Sequence, residues 1–181
     1  VIPPVTVTDA KLIASNVSEP SLGSPATEVV YAGGTTYALG DEVISTSTHR
    51  RYESLAAGNI GNPLPVLPET TTTKWLDIGP TNKWAMFDAY RNTQTIEHTS
   101  PITVTVAPGI RIDAVALVGL EATSVTVMLT SAVGSPALTY YTHTEDLNNR
   151  EVADWYDYFF EPFSTRTSMA LFDLPPYSGA Y

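Results

Sequence analysis

The chain has 181 residues, 43% of them hydrophobic, which suits one ordinary domain or two small ones. Nine Lys and Arg against 19 Asp and Glu give a formal charge of −10, a surface that repels phosphate backbones and argues against a nucleic-acid partner. There is no cysteine, which excludes disulfide scaffolds, thiolate metal sites and a Cys nucleophile.

Charged residues are only 15%, about one residue in seven is Thr, and there are 14 prolines. That composition favours strands and turns over long helices, so an all-β fold is predicted. No apolar run approaches a membrane span and no signal peptide precedes the fold, so membrane insertion is not expected. Val1 fits removal of an initiator Met before a small residue. A small extracellular-type domain without disulfides finds stability elsewhere, and a homo-oligomer is expected.

Residues 1–30 open with Ile2-Pro3-Pro4 and an alternating strand, VTVTD, followed by the Ser-, Pro- and Gly-rich SNVSEPSLGSPAT. Such a stretch buries little alone; it reads either as an N-terminal arm laid over a neighbour or as a disordered leader. Residues 31–83 read as a small β module. Gly33-Gly34 and Gly40-Asp41 mark turns, EVIST and RYESL pair as strands, and PLPVLP forms an extended loop. A Gly79-Pro80 turn separates Trp75 from Trp84, with Trp84, Met86 and Phe87 as the hinge to the next unit.

Residues 84–181 read as a β-sandwich. PITVTVAPG alternates strictly, IDAVALVGLEA is the continuous apolar run of a strand buried on both faces, and SVTVMLTSAV alternates again. LTYYTHT, EVADWYDYFF and TSMALFDLP complete at least six strands with turn signals roughly every 8–12 residues. In TEDLNNREVADWY, Asp146 is placed to cap a single helical turn. The closing LPPYSGAY reads like a turn entering another strand, an expectation that the native chain continues past Tyr181.

No catalytic set emerges from these residues, and the chain is read as a non-enzyme. His49, His98 and His143 lie in no recognisable motif, and there is no G-x-S-x-G elbow. The densest acidic zone holds Glu145, Asp146, Glu151, Asp154, Asp157 and Glu161. On one unbroken strand Glu151 and Asp157 would share a face about 20 Å apart, too far for either geometry of glycoside hydrolysis. Glu145, Asp146, Asn148 and Asn149 carry calcium-type oxygens, but no D-x-[DN]-x-[DN]-G loop organises them, and no metal or other cofactor is expected. Gly33-Gly34 precedes a strand rather than a helix, so it is no phosphate cradle.

The aromatic frame is the most informative feature. Tyr31, then Tyr37-x-x-Gly40-Asp41-x-Val43, Tyr52-x-x-Leu55, Gly61-Asn62-Pro63 and Trp75 stand at intervals between glycine turns. Each buried aromatic covers roughly 150–250 Å², so three or four hold a very small module together. The spacing resembles the chitin-binding-like carbohydrate-binding modules of secreted glycosidases, which also recur in virion proteins of tailed bacteriophages. By that resemblance Tyr31 stands where the motif usually has Trp, Tyr37 and Tyr52 match its internal tyrosines, and Trp75 matches its closing Trp. Tyr37 and Tyr52, which flank strands that must pack together, are the expected core pair. Tyr31 and Trp75 are the expected exposed pair and the carbohydrate-binding candidates.

The longer string through WLDIGPTNKWAMFD, with the opening IPPVTVTDA and the closing LPPYSGA, resembles structural proteins of tailed-phage virions. In these a carbohydrate-binding-like module is joined to a jelly-roll-like sandwich. The resemblance implies a non-enzymatic component of the tail, tail tip or fibre attachment region. Its partners would be other phage virion proteins. The alternative is a module that binds a host cell-surface glycan.

Overall fold

The computed structural model describes residues 4–20, 28–66, 71–88, 92–131, 138–148, 154–160, 165–172 and 174–175, with the Asp157 side chain excepted. The fold is all-β: ten strands, a three-residue 3-10 turn and one short helix are found among the described residues. The chain divides into two compact units. Unit 2 runs from Ser15 to Thr103, and unit 1 comprises Val1–Ala14 with Val104–Tyr181. Unit 2 is therefore inserted in the sequence of unit 1, a different division from the expected one at 1–30, 31–83 and 84–181.

Unit 2 is built on a four-stranded sheet in the order β2-β3-β4-β5, with β2 at Val29–Val30, β3 at Glu42–Ser45, β4 at Arg50–Ser54 and β5 at Trp75–Pro80. The EVIS and RRYES segments form an antiparallel hairpin with Val43 opposite Tyr52, as β-branched and aromatic residues at alternate positions favour. β2 adds in parallel beside β3, so residues 29–30 of the expected arm belong to the sheet. The register of β4 on β5 shifts between Arg51 and Tyr52. Gly79 and Pro80 do not form a turn; they end β5 opposite Arg51 and Arg50. A sheet-edge strand tolerates Pro80, which has no N–H to offer a further neighbour, and Gly79 takes the φ of 124° that bends the strand there.

Unit 1 carries β1 (Leu12–Ser15, whose last residue falls in unit 2), β6 (Val104–Val106), β7 (Val115–Val118), β8 (Ser124–Thr130), β9 (Thr139–Asp146) and β10 (Ser168–Leu171). They pair two by two, as β1-β6, β7-β10 and β8-β9. The first strand is thus LIAS rather than the expected VTVTD, whose Thr8 carbonyl instead accepts the amides of Lys11 and Leu12 in a turn. β7 was expected to be buried on both faces. It alternates half-buried and exposed residues, with Val118 56% exposed, so one face of the strand is covered and the other is open. Helix α1, Trp155–Phe160, occupies the second half of the expected strand EVADWYDYFF. WYDYFF has no alternation for a strand to sort between two faces. Asp146 caps no helix: it ends β9, and its Oδ1 accepts the Asn148 amide at 2.8 Å.

The two units differ in core. Unit 2 buries Val17, Tyr37, Val43, Ile44, Tyr52, Trp75, Trp84 and Ala85. Among the described residues, unit 1 buries four hydrophobic side chains: Leu129, Leu147, Met169 and Leu174.

Candidate functional site

The aromatic frame is a core. Tyr37, Val43, Tyr52 and Trp75 form one buried cluster, with Tyr31 and Leu64 packed against it. Tyr31 stacks on Tyr37 at 6.0 Å between centroids, and both meet Trp75 edge-on, at 5.7 and 5.4 Å. These are the offset and T-shaped arrangements that ring quadrupoles favour. Trp75 is 0% exposed, so it offers no platform to a sugar, and the expectation of an exposed Tyr31–Trp75 pair is corrected. Tyr31 is half-buried, stacked on Tyr37 and packed against the same cluster.

The polar ends of these rings explain the glycine and asparagine spacing. The Asn62 carbonyl accepts both the Tyr31 hydroxyl at 2.8 Å and the Trp75 indole N–H at 3.0 Å. Gly61, at φ 71°, turns the chain to present that carbonyl, and its amide donates to Gly33 O. The Asn62 side chain donates to Asn59 Oδ1, and Asn59, itself buried, donates on to Ser54 Oγ and the Lys74 carbonyl. Tyr37 and Asn59 exchange backbone hydrogen bonds, both 2.9 Å. The Gly61-Asn62-Pro63 frame is therefore an internal acceptor for the aromatics, and tyrosine at position 31 serves it through its hydroxyl.

The residues expected to be a hinge lie inside unit 2. Trp84 is buried and stacks on His49 at 4.1 Å, and Ala85–Phe87 form the 3-10 turn, closed by the Ala85 amide on Thr81 O and the Met86 amide on Thr95 Oγ1. The chain passes between the units near 103–104, about twenty residues later. His49, at φ 55°, donates or accepts through Nδ1 at 2.7 Å from Glu19 Oε1, and its carbonyl accepts the Thr81 amide. Asn82 holds Ser18 O and both backbone groups of Ile96. Residues 15–20, part of the expected arm, are pinned by these bonds.

Ionic groups are mostly paired within the sheet. Arg50 forks onto Asp77 at 2.5 and 2.8 Å, and Arg51 lies 2.8 Å from the buried Glu28 and 3.0 Å from Glu42. Arg51 and Asn82 also line a cleft of about 400 Å³ in unit 2, together with Gln94 and Ile96. Both residues already have partners within the unit, Arg51 beside Glu28 and Glu42 and Asn82 on Ser18 and Ile96. In unit 1, Glu145 meets His143 Nε2 at 3.2 Å and also Arg166. These two partners, His143 first, hold its carboxyl below the usual 4.5. Glu97 is held low in the same direction by Thr99, whose hydroxyl and amide both donate to it. Among the described residues no three His, Asp or Glu converge as metal ligands. Asn149, Glu151 and Glu161 of the acidic zone lie outside them.

The exposed aromatic surface is elsewhere, on α1. Trp155, Tyr156, Tyr158, Phe159 and Phe160 are 57–78% exposed. Their rings touch one another: Trp155 stacks on Phe159 at 6.2 Å, Tyr156 lies on Phe160 at 5.0 Å, and Tyr158 meets Phe159 edge-on at 5.1 Å. Sequence reasoning passed over this segment as a strand flanked by acids. Five aromatics in six residues, without alternation, were the signal. Comparison of the chain with family models, with curated proteins and with solved structures finds no match.

Proposed function

We propose that this chain is a non-enzymatic structural component of a tailed-phage virion, in the tail, tail tip or fibre attachment region, that works by assembling with neighbouring subunits. The observation that carries the assembly reading is the open aromatic surface of α1. Soluble monomers rarely expose a contiguous apolar patch beyond about 300–600 Å², and larger ones mark interaction sites. The phage assignment draws on the resemblance of most of residues 1–181 to virion proteins, carried by IPPVTVTDA, WLDIGPTNKWAMFD and LPPYSGA. Sugar binding at the frame loses its support, because Trp75 is enclosed and its N–H is spent on Asn62.

Mass spectrometry of purified particles tests the reading. The chain is expected among the virion proteins at a stoichiometry above one copy per particle. Its consistent absence from intact particles, with the protein present in the infected cells, would overturn the phage assignment.

A further inference from the structure

We infer that helix α1 is a self-association surface, through which two copies of this chain meet about a two-fold axis. The inference rests on the assembly reading above and names the occupant of one surface.

Area comes first. Five aromatic side chains of roughly 150–250 Å² each, about two-thirds open, expose on the order of 700 Å². A stable interface of standard size buries about 800 Å² per partner. At roughly 100° per residue the five rings span about 200° of the helix, so one helix supplies part of one side of a dimer contact. Aromatic clusters of this kind are also where binding energy concentrates, with Trp and Tyr prominent.

Chemistry chooses the occupant. Helix α1 itself, WYDYFF, has no Lys or Arg, and the chain has a formal charge of −10, so anionic lipid and nucleic acid are poor matches. What complements such a face is another apolar, aromatic face. A second copy supplies one by construction, and edge-to-face ring packing is self-complementary, as an isologous contact requires.

The test uses the full chain, followed by light scattering coupled to size exclusion over a wide concentration range. Wild type is expected to dimerise. Trp155→Ser with Phe159→Ser should weaken the dimer roughly 30-fold or more, the scale of losing a binding hot spot. Val66→Ser, an equally exposed apolar residue of unit 2, should leave it unchanged. Since the chain has no cysteine, Tyr158→Cys offers a second reading that does not depend on the double variant folding. Mild oxidation should link two copies, whereas Val66→Cys should remain monomeric on reducing-agent-free gels. A wild type that stays monomeric throughout, a dimer indifferent to the double substitution, or failure of Tyr158→Cys to cross-link would each overturn the proposal. So would monomeric wild type cosedimenting with phosphatidylcholine vesicles, which would make a membrane the occupant. Such a failure, with the chain still present in particles, would leave the virion reading standing and move assembly to other surfaces.

Discussion

Replacing Trp75 separates a core role from a sugar platform. The indole is fully enclosed by Tyr31, Tyr37 and its neighbours, and its N–H shares the Asn62 carbonyl with the Tyr31 hydroxyl. Truncating a buried Trp to Ala costs about 3–5 kcal/mol. The lost hydrogen bond adds little, since Asn62 O keeps the Tyr31 donor. Trp75→Phe keeps one six-membered ring and leaves a cavity where the rest of the indole stood, so about 1–2 kcal/mol is expected. For a unit the size of Ser15–Thr103, each kcal/mol moves the melting temperature by about 4–8 °C. Trp75→Ala should therefore lower it by at least about 12 °C. Amide hydrogen exchange at Tyr52 and Asp77, paired across β4 and β5, reports on this unit specifically. Protection there should fall in the order wild type, Trp75→Phe, Trp75→Ala. If Trp75→Ala left melting and protection unchanged while abolishing adhesion to a glycan array, the burial argument would be refuted.

Two further outcomes follow from the ionic contacts. Arg51→Met removes the guanidinium beside the buried Glu28 and should destabilise unit 2 by about 1–3 kcal/mol, below a fully buried pair because Arg51 is partly exposed and its Nε and Glu28 Oε1 are close without hydrogen-bond alignment. Adding Glu28→Gln should recover part of that loss in urea titrations; strict additivity of the two substitutions would contradict a direct pairing. For Glu145, a carboxyl held low in the folded state contributes stability that is complete above 4.5 and is lost as pH falls through the lower folded value. In a carboxyl-detected NMR titration, His143→Ala and Arg166→Gln should each move its midpoint up towards 4.5, His143→Ala further. A midpoint unmoved by both would show that neither contact persists in solution.

What the sequence determined by itself was the kind of structure and the local hardware of the small module. Composition and alternation sufficed for an all-β chain, and the EVIS and RYES strands pair as their pattern requires. Tyr37 and Tyr52 are buried because they flank strands of that one hairpin sheet, a local constraint that residue spacing carries. Exposure of Trp75 was a different matter. It depended on a carbonyl thirteen residues earlier turning inward at Gly61 and on Tyr31 closing from another segment, contacts that spacing along the chain does not encode. The unit boundary escaped for the same reason: Trp84 looks like the end of a motif until His49 and Asn82 are seen to hold its segment and residues 15–20 in the same unit. WYDYFF reads in the sequence as part of one more strand, an aromatic one flanked by acids. Only tertiary structure decides which aromatics are enclosed, and here it buried Tyr37, Tyr52 and Trp75 of the frame and left the rings of α1 largely exposed.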